Sequence, residues 1–283
     1  MILELGPDHR FDITYRSVVM GILNRTPDSF FDGGQYFEFD RFLAKAQQLV
    51  DEGADFLDVG GVKAGPGPEV GTEEELERVV PAIESLRQHF GVPVSVDTWN
   101  PVVLSGALDA GAVVGNDISG FAHPDYLPIC AQHNASVVAT HIRLGPRIAD
   151  PEPVYDDVER DVRAFLAERA QWALDAGIPR ERIMVDDGLD LGKTEPQSLE
   201  LLRSSDQLAA LGFATFLSAS NKRFLGELVG TDVTDRHDAT LAAHAVGIAL
   251  GCRVLRSHDV VSSRRVSDTM AAVLEARSER ARS

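Results

Sequence analysis

A single-domain α/β fold, a (β/α)8 barrel, is predicted by three observations. Eight short apolar runs recur along the chain, each ends on a polar residue, and helix-like stretches lie between them. No Ser/Pro-rich linker or change of composition divides residues 1–283. Runs without polar alternation are the mark of parallel strands covered on both faces. A doubly wound sheet would carry a glycine fingerprint in its first turn, and this chain has none there.

Taken in order, residues 1–16 form an N-terminal cap, and the first strand is Val18–Leu23, ending at Asn24. Arg41–Gly53 then has helical spacing and stops on a glycine, a common helix terminator. Phe56–Leu57 leads to Asp58. Thr72–Phe90 opens Thr-Glu-Glu-Glu, which predicts a capping box and places acids where the helix dipole favours them. Val92–Val96 leads to Asp97, Ala112–Gly115 to Asn116 and Asp117, and Ser136–Thr140 to His141. Asp157–Gly177 and Gln197–Leu211 carry apolar residues three and four apart, flanking the strand Ile183–Val185 that ends at Asp186. Phe213–Leu217 ends at Ser218 and Cys252–Leu255 at Arg256, and 275–283 is a charged, fraying helix end.

The formal charge of −17 argues against a nucleic-acid surface, because a phosphate backbone is held by clustered Lys and Arg. No run approaches the roughly 18 apolar residues of a membrane span. Asp, His and Arg interrupt the first residues where a signal peptide needs an apolar core, so a soluble, cytoplasmic protein is expected. Cys130 and Cys252 lie in apolar stretches without metal-type spacing and read as small core residues.

In such a barrel, chemistry gathers at the C-terminal ends of the strands. A polar residue at one strand end is usually a cap. Here eight ends bring Asn24, Asp58, Asp97, Asn116, His141, Asp186, Ser218 and Arg256 to one mouth. Arg256 and His258 together after the last strand favour anion binding, for which the arginine fork is suited.

The motifs carry a family resemblance. Asn24-Arg25-Thr26-Pro27-Asp28-Ser29-Phe30-Phe31-Asp32-Gly33-Gly34 follows the first strand. Asp58-Val59-Gly60-Gly61, Ser95-Val96-Asp97-Thr98, Asn116-Asp117-Ile118 and Gly192-Lys193 come after it in order. From about Leu3 to Val260 the chain resembles the dihydropteroate synthase family of pterin-binding barrels. That resemblance implies a homodimer and a transferase reaction in folate synthesis. There p-aminobenzoate displaces pyrophosphate from 6-hydroxymethyl-7,8-dihydropterin pyrophosphate, and sulfonamide or sulfone analogues of p-aminobenzoate compete. It implies that Asp97, Asn116, Asp186 and Lys222 hold the pterin, with Asp97 and Lys222 catalytic. Asp186 would accept from the paired N–H donors of the pterin, and Asn116, which donates and accepts, would meet the other ring nitrogens. Asp97 would stabilise positive charge on the methylene as pyrophosphate leaves. Arg256 and His258 would hold pyrophosphate, and Asn24 would ligate Mg2+, which keeps waters and bridges to phosphates. A related branch transfers methyl groups from methyltetrahydrofolate to corrinoids, but the first-loop motif and the Arg256/His258 pair resemble the pyrophosphate branch.

The second-substrate half departs from the family. Where Glu-Ser-Thr-Arg-Pro-Gly is usual, the chain has Val62-Lys63-Ala64-Gly65-Pro66-Gly67, so the loop arginine is absent. Losing one such charge-stabilising contact typically costs about 10²–10³ in rate. The usual Ser-Arg-Lys-Ser is Ser220-Asn221-Lys222-Arg223, Arg25 replaces an apolar residue, Phe31 a serine, and Asp187 a proline. Asp190 replaces an aromatic or small residue, and Asp187 is expected to repel Asp186 and raise its pKa. The expectation is a paralogue with the pterin pocket kept and synthase activity lost or very low. Its alternatives are a working synthase in which Lys63 and Arg223 compensate, or a transferase using a different anionic acceptor.

Overall fold

The computed structural model describes residues 1–25 and 35–282, with backbone alone at 35–38 and 279–282. Two short strands, β1 (Ile2–Leu5) and β2 (His9–Asp12), form an antiparallel hairpin. Eight parallel strands then close a barrel: β3 (Val18–Asn24), β4 (Phe56–Gly60), β5 (Val94–Asp97), β6 (Val114–Asp117), β7 (Ser136–Thr140), β8 (Ile183–Asp186), β9 (Ala214–Leu217) and β10 (Cys252–Ser257). Each strand pairs with the next in sequence, and β10 closes on β3. Around them lie α1 (Gln35–Asp51), α2 (Thr72–His89), α3 (Pro101–Asp109), α4 (Tyr126–Gln132) and α5 (Val158–Asp175). The ring is completed by α6 (Glu195–Arg203), α7 (Ser205–Ala209), α8 (Arg223–Val229), α9 (His237–Ala249) and α10 (Val260–Arg282).

Alternation along β3 shows how the core divides. Val18 and Met20 belong to an interior cluster with Phe56, Val114, Val138, Met184, Phe216 and Val254, while Val19 and Leu23 join the layer between strands and helices. Successive side chains of a strand point to opposite faces, so one continuous apolar run supplies both layers. Leu3, Leu5 and Ile13 of the hairpin plug the interior from the strands' N-terminal end. Ser136 at the start of β7 fastens this plug, accepting from the backbone N–H of Gly6 at 2.9 Å and donating to the carbonyl of Glu4 at 2.7 Å. Cys130 and Cys252 are both buried.

Three local expectations change. β4 does not end at Asp58 but runs to Gly60, because Asp58 is paired in register with Ile22 and Ser95 inside the barrel wall. Thr72 is not an N-cap: Gly71 holds that position without a side-chain bond, Thr72 Oγ1 accepts from Asn100, and Glu75 turns inward to accept from Thr98 Oγ1 at 2.6 Å. The capping box of this chain is instead Thr194 with Gln197, at the start of α6. The helix expected over Gln197–Leu211 divides at Ser204, whose hydroxyl bonds back to the carbonyl of Glu200 at 2.6 Å. The charged tail continues α10 to Arg282. No helix among the described residues is long and apolar enough to cross a membrane.

Candidate active site

Strand ends deliver the chemistry. Asp97, Asn116, Asp186, Lys222 and Arg256 line one cavity at the barrel mouth with Phe216, Leu191 and Ala64. It encloses about 400 Å³, open solvent at the mouth included. Five of the seven residues expected at a site are thus brought together. Asn24 and His258 line a neighbouring cavity with Arg41, Lys45 and Gln48, and no Asp or Glu lines that cavity among the described residues.

The floor of the first cavity is an ionic network. Arg256 donates from Nε to Asp58 Oδ2 at 2.8 Å and from Nη2 to Asp97 Oδ2 at 2.9 Å. Asn116 Nδ2 faces both oxygens of Asp58, at 3.4 and 3.3 Å. Arg256 therefore turns two of its donors to carboxylates of the barrel wall, and His258 binds Ser220 through Nδ1 at 3.1 Å. Burial raises the pKa of Asp97 to about 7, with Arg256 opposing and Asp58, Glu75 and Asp117 adding to the rise. The His258 ring stands at the rim. The cavity wall first, then Arg256, Lys222 and Lys45, hold its pKa down to about 4, so its imidazole is neutral at pH 7.

Behind Asp186 lies a second cluster. Asp186 Oδ1 accepts from the backbone N–H of Gly188 at 2.8 Å. Glycine is required at 188: φ is +65°, and an added Cβ would lie 2.0 Å from the carbonyl oxygen of His141. The fully buried Lys193 sends Nζ to the carbonyls of His141, Gly188 and Leu191, at 3.3, 2.9 and 3.1 Å, fixing this turn against β7. Asp186 is raised by its own burial, while Gly188, Lys222, Lys193 and Arg256 favour its ionised form. The expected rise at Asp186 is present, with burial as its main cause, and Asp187 rises beside it. Burial, and then the charge of Asp186, push Asp187 up to about 8. One oxygen of Asp187 is buried without a hydrogen-bond partner.

Of the two residues expected to compensate in the second-substrate half, neither Lys63 nor Arg223 lines the cavity. The Arg223 guanidinium is exposed and pairs with Glu227 at 3.4 Å. The N-terminus of α8 is taken by Asp190, which accepts from the backbone N–H groups of Arg223 at 2.5 Å and Phe224 at 3.2 Å. Asp190 does so from a left-handed backbone, φ +67°. Lys63 is exposed, and its carbonyl accepts from Arg147 Nη1 at 3.1 Å. Arg147 also donates its backbone N–H to the carbonyl of Ala64 at 2.9 Å and Nη2 to that of Pro68, strapping residues 63–68 beside the cavity. The Arg25 guanidinium stacks over the rings of Phe39 and Phe42, at 5.2 and 5.4 Å. Thr26–Gly34, including Phe31, lie outside the described residues.

The sequence places Asp58 at the mouth without a specific role, and gives Asp190, Lys193 and Arg147 none. Asp58 and Lys193 stood within quoted motifs, and an acid inside an apolar run was a usable signal. The bonds of Asp190 and Arg147 join segments more than thirty residues apart and left no local signal.

A family profile described as "Pterin binding enzyme" matches residues 20–258. The chain is 38% identical over 261 residues to the dihydropteroate synthase of Bacillus subtilis (strain 168), covering 92% of this chain and 89% of that one. It is 42% identical over 270 residues to the "Inactive dihydropteroate synthase 2" of Mycobacterium leprae (strain TN), covering 91% of each. Among solved structures, Yersinia pestis dihydropteroate synthase with a sulfonamide drug complex superposes with a TM-score of 0.90 at 32% identity, covering 98% of this chain and 100% of that one. The Xanthomonas albilineans enzyme with 4-aminobenzoic acid gives 0.87 at 37%, covering 94% and 95%.

Proposed function

The chain belongs to the pterin-binding enzyme family, and we propose that it holds a reduced pterin at its barrel mouth but condenses it with p-aminobenzoate weakly or not at all. In this reading Asp186 accepts from the adjacent amino and N3–H groups of the pterin, Asn116 meets a further edge, and Lys222 lies along the ring. Asp97 and Arg256 form a charge-balanced floor, so a cationic methylene would find a carboxylate close by and a departing anion an arginine. His258, neutral at pH 7, is a donor or acceptor to phosphate oxygens rather than a charge.

The donor set bears on Mg2+. Among the described residues no group of three His, Cys, Asp or Glu side chains is arranged to hold a metal. The single hard oxygen of Asn24 suits an ion held mostly by pyrophosphate and water, as Mg2+ commonly is. Such an ion would neutralise leaving-group charge.

The observation that carries the weak-condensation reading is Asp190. It places the chain's own carboxylate on the backbone N–H groups that open α8, while Arg223 turns outward to Glu227. The family receives the p-aminobenzoate carboxylate near that helix start. A transferase for a different anionic acceptor is the second reading, and the cavity of Arg41, Lys45, His258, Asn24 and Gln48 favours it. The homodimer and cytoplasmic location belong to the same family-based proposal, and sedimentation velocity tests the first.

Pyrophosphate release from dihydropterin pyrophosphate, p-aminobenzoate and Mg2+ decides, measured beside an authentic synthase. Turnover within about tenfold of the control, some 1.4 kcal/mol in barrier, overturns the weak-condensation reading. No turnover together with calorimetric uptake of the pterin supports it, and neither turnover nor uptake refutes the pterin site itself.

A further inference from the structure

Asp58 is fully buried within β4, and its carboxylate is surrounded by groups of the cavity floor rather than by core. Oδ2 takes the Nε donor of Arg256 at 2.8 Å, and both oxygens face Asn116 Nδ2. This fixes the orientation of an otherwise two-faced side chain. An amide has a donor end and an acceptor end, whereas a carboxylate held by arginine can only accept. Turning Asn116 over would set its carbonyl oxygen against the Asp58 oxygens in a buried site, an unpaired contact of the costly kind. Nδ2 therefore stays on Asp58, and Oδ1 is the end left for the cavity that Asn116 lines.

We infer that Asp58 is a positioning residue that presents Asn116 to the ligand as a hydrogen-bond acceptor, so that the site selects heterocycle edges carrying N–H groups. The inference rests on the pterin reading above and sharpens it, since it fixes Asn116 Oδ1 as the end turned to the ligand. With Asp186 also accepting, the cavity offers acceptors from two strands, β6 and β8, to a ring rich in N–H donors. An edge that turns only lone pairs toward these two residues meets oxygen on both sides. Asp58 does this without touching the ligand.

The test is calorimetry with 6-hydroxymethyl-7,8-dihydropterin on the parent, Asp58→Asn and the double variant Asp58→Asn/Asn116→Asp, each checked for a native thermal melt. Asp58→Asn lets the Asn116 amide settle either way round, and the dissociation constant is expected to rise about tenfold or more. In the double variant the amide at 58 donates to the carboxylate at 116, whose other oxygen faces the ligand. Affinity is then expected to return to within about threefold of the parent, well under 1 kcal/mol. A residue that served only the fold would not be rescued in binding by this exchange. Parental affinity in Asp58→Asn, or a folded double variant no better than the single, overturns the inference. If Asp58→Asn does not fold, the double variant is compared with Asn116→Asp, in which two carboxylates oppose each other. Tighter binding by the double variant then supports the inference, and equal or weaker binding overturns it. Failure of the parent to take up the dihydropterin falls earlier and refutes the pterin reading, which separates the two failures.

Discussion

Lys193 Nζ lies 3.0 Å from His141 Nδ1, behind the wall that carries Asp186, and below pH 7 the charged lysine sets the roles of the pair. The ammonium donates and the imidazole accepts, so His141 stays neutral. Burial, and then the Lys193 charge, take the His141 pKa down to about 3. With three carbonyls sharing its protons with the imidazole, Lys193 works as an internal tie between the end of β7 and the turn after β8.

Removing that tie is expected to be costly. Lys193→Met keeps much of the side-chain length but leaves the carbonyls of His141, Gly188 and Leu191 without their donor. A loss of about 2–4 kcal/mol in urea unfolding is expected. A change below about 0.5 kcal/mol would mean that water takes over the bonds.

Asp187 gives the pH dependence its sign. Its carboxyl has a pKa near 3.8 unfolded and about 8 folded, so between these values the folded state binds more protons and stability falls as pH rises. Asp97, at about 7, acts in the same direction over a narrower window. Lys193, brought from 10.5 to about 7 by burial, has the opposite slope above pH 7. Asp187→Asn is therefore expected to gain about 1–3 kcal/mol at pH 8 and to change little at pH 4, read from denaturant midpoints at both pH values. Equal effects at the two values would rule out a titrating Asp187.

Asp190→Gly removes the carboxylate from the start of α8 and relaxes a left-handed residue. The lost cap costs about 1 kcal/mol, partly recovered because glycine accepts positive φ freely. In the presence of pterin, p-aminobenzoate is expected to bind about tenfold more tightly than to the parent, read by calorimetry. Unchanged affinity would show that Asp190 is not the obstacle.

Arg147→Ala should act on exchange rather than on fold. It releases the carbonyls of Lys63 and Pro68 at an exposed surface, so the expected stability loss is within about 0.5 kcal/mol. Hydrogen exchange over residues 62–70 should accelerate, and pterin should leave faster in stopped-flow competition. Protection identical to the parent would show that the strap does not hold that segment.

What the residues themselves disclosed follows from the range of the forces involved. Apolar runs and their polar ends are local, so the eight strands, and with them Asp97, Asn116, Asp186 and Arg256 at one mouth, were legible. Asp58 is visible as a polar residue, but the strand runs two residues past it, because nothing local shows that a buried acid has an arginine two strands away. The Glu75 bond to Thr98 displaced a good capping-box pattern for the same reason. Asp187 is recognisable in the sequence as a disturbing acid, but the rise at both Asp186 and Asp187 comes chiefly from burial, and only the fold sets burial.

The hairpin of β1 and β2 has a consequence for how the molecule is assembled. It precedes every barrel strand in the chain, yet the chamber it fills is not walled until β10 meets both β3 and β9. Leu3, Leu5 and Ile13 therefore gain their complete housing only after more than 200 residues of wall have been laid down. The stopper is made before the bottle.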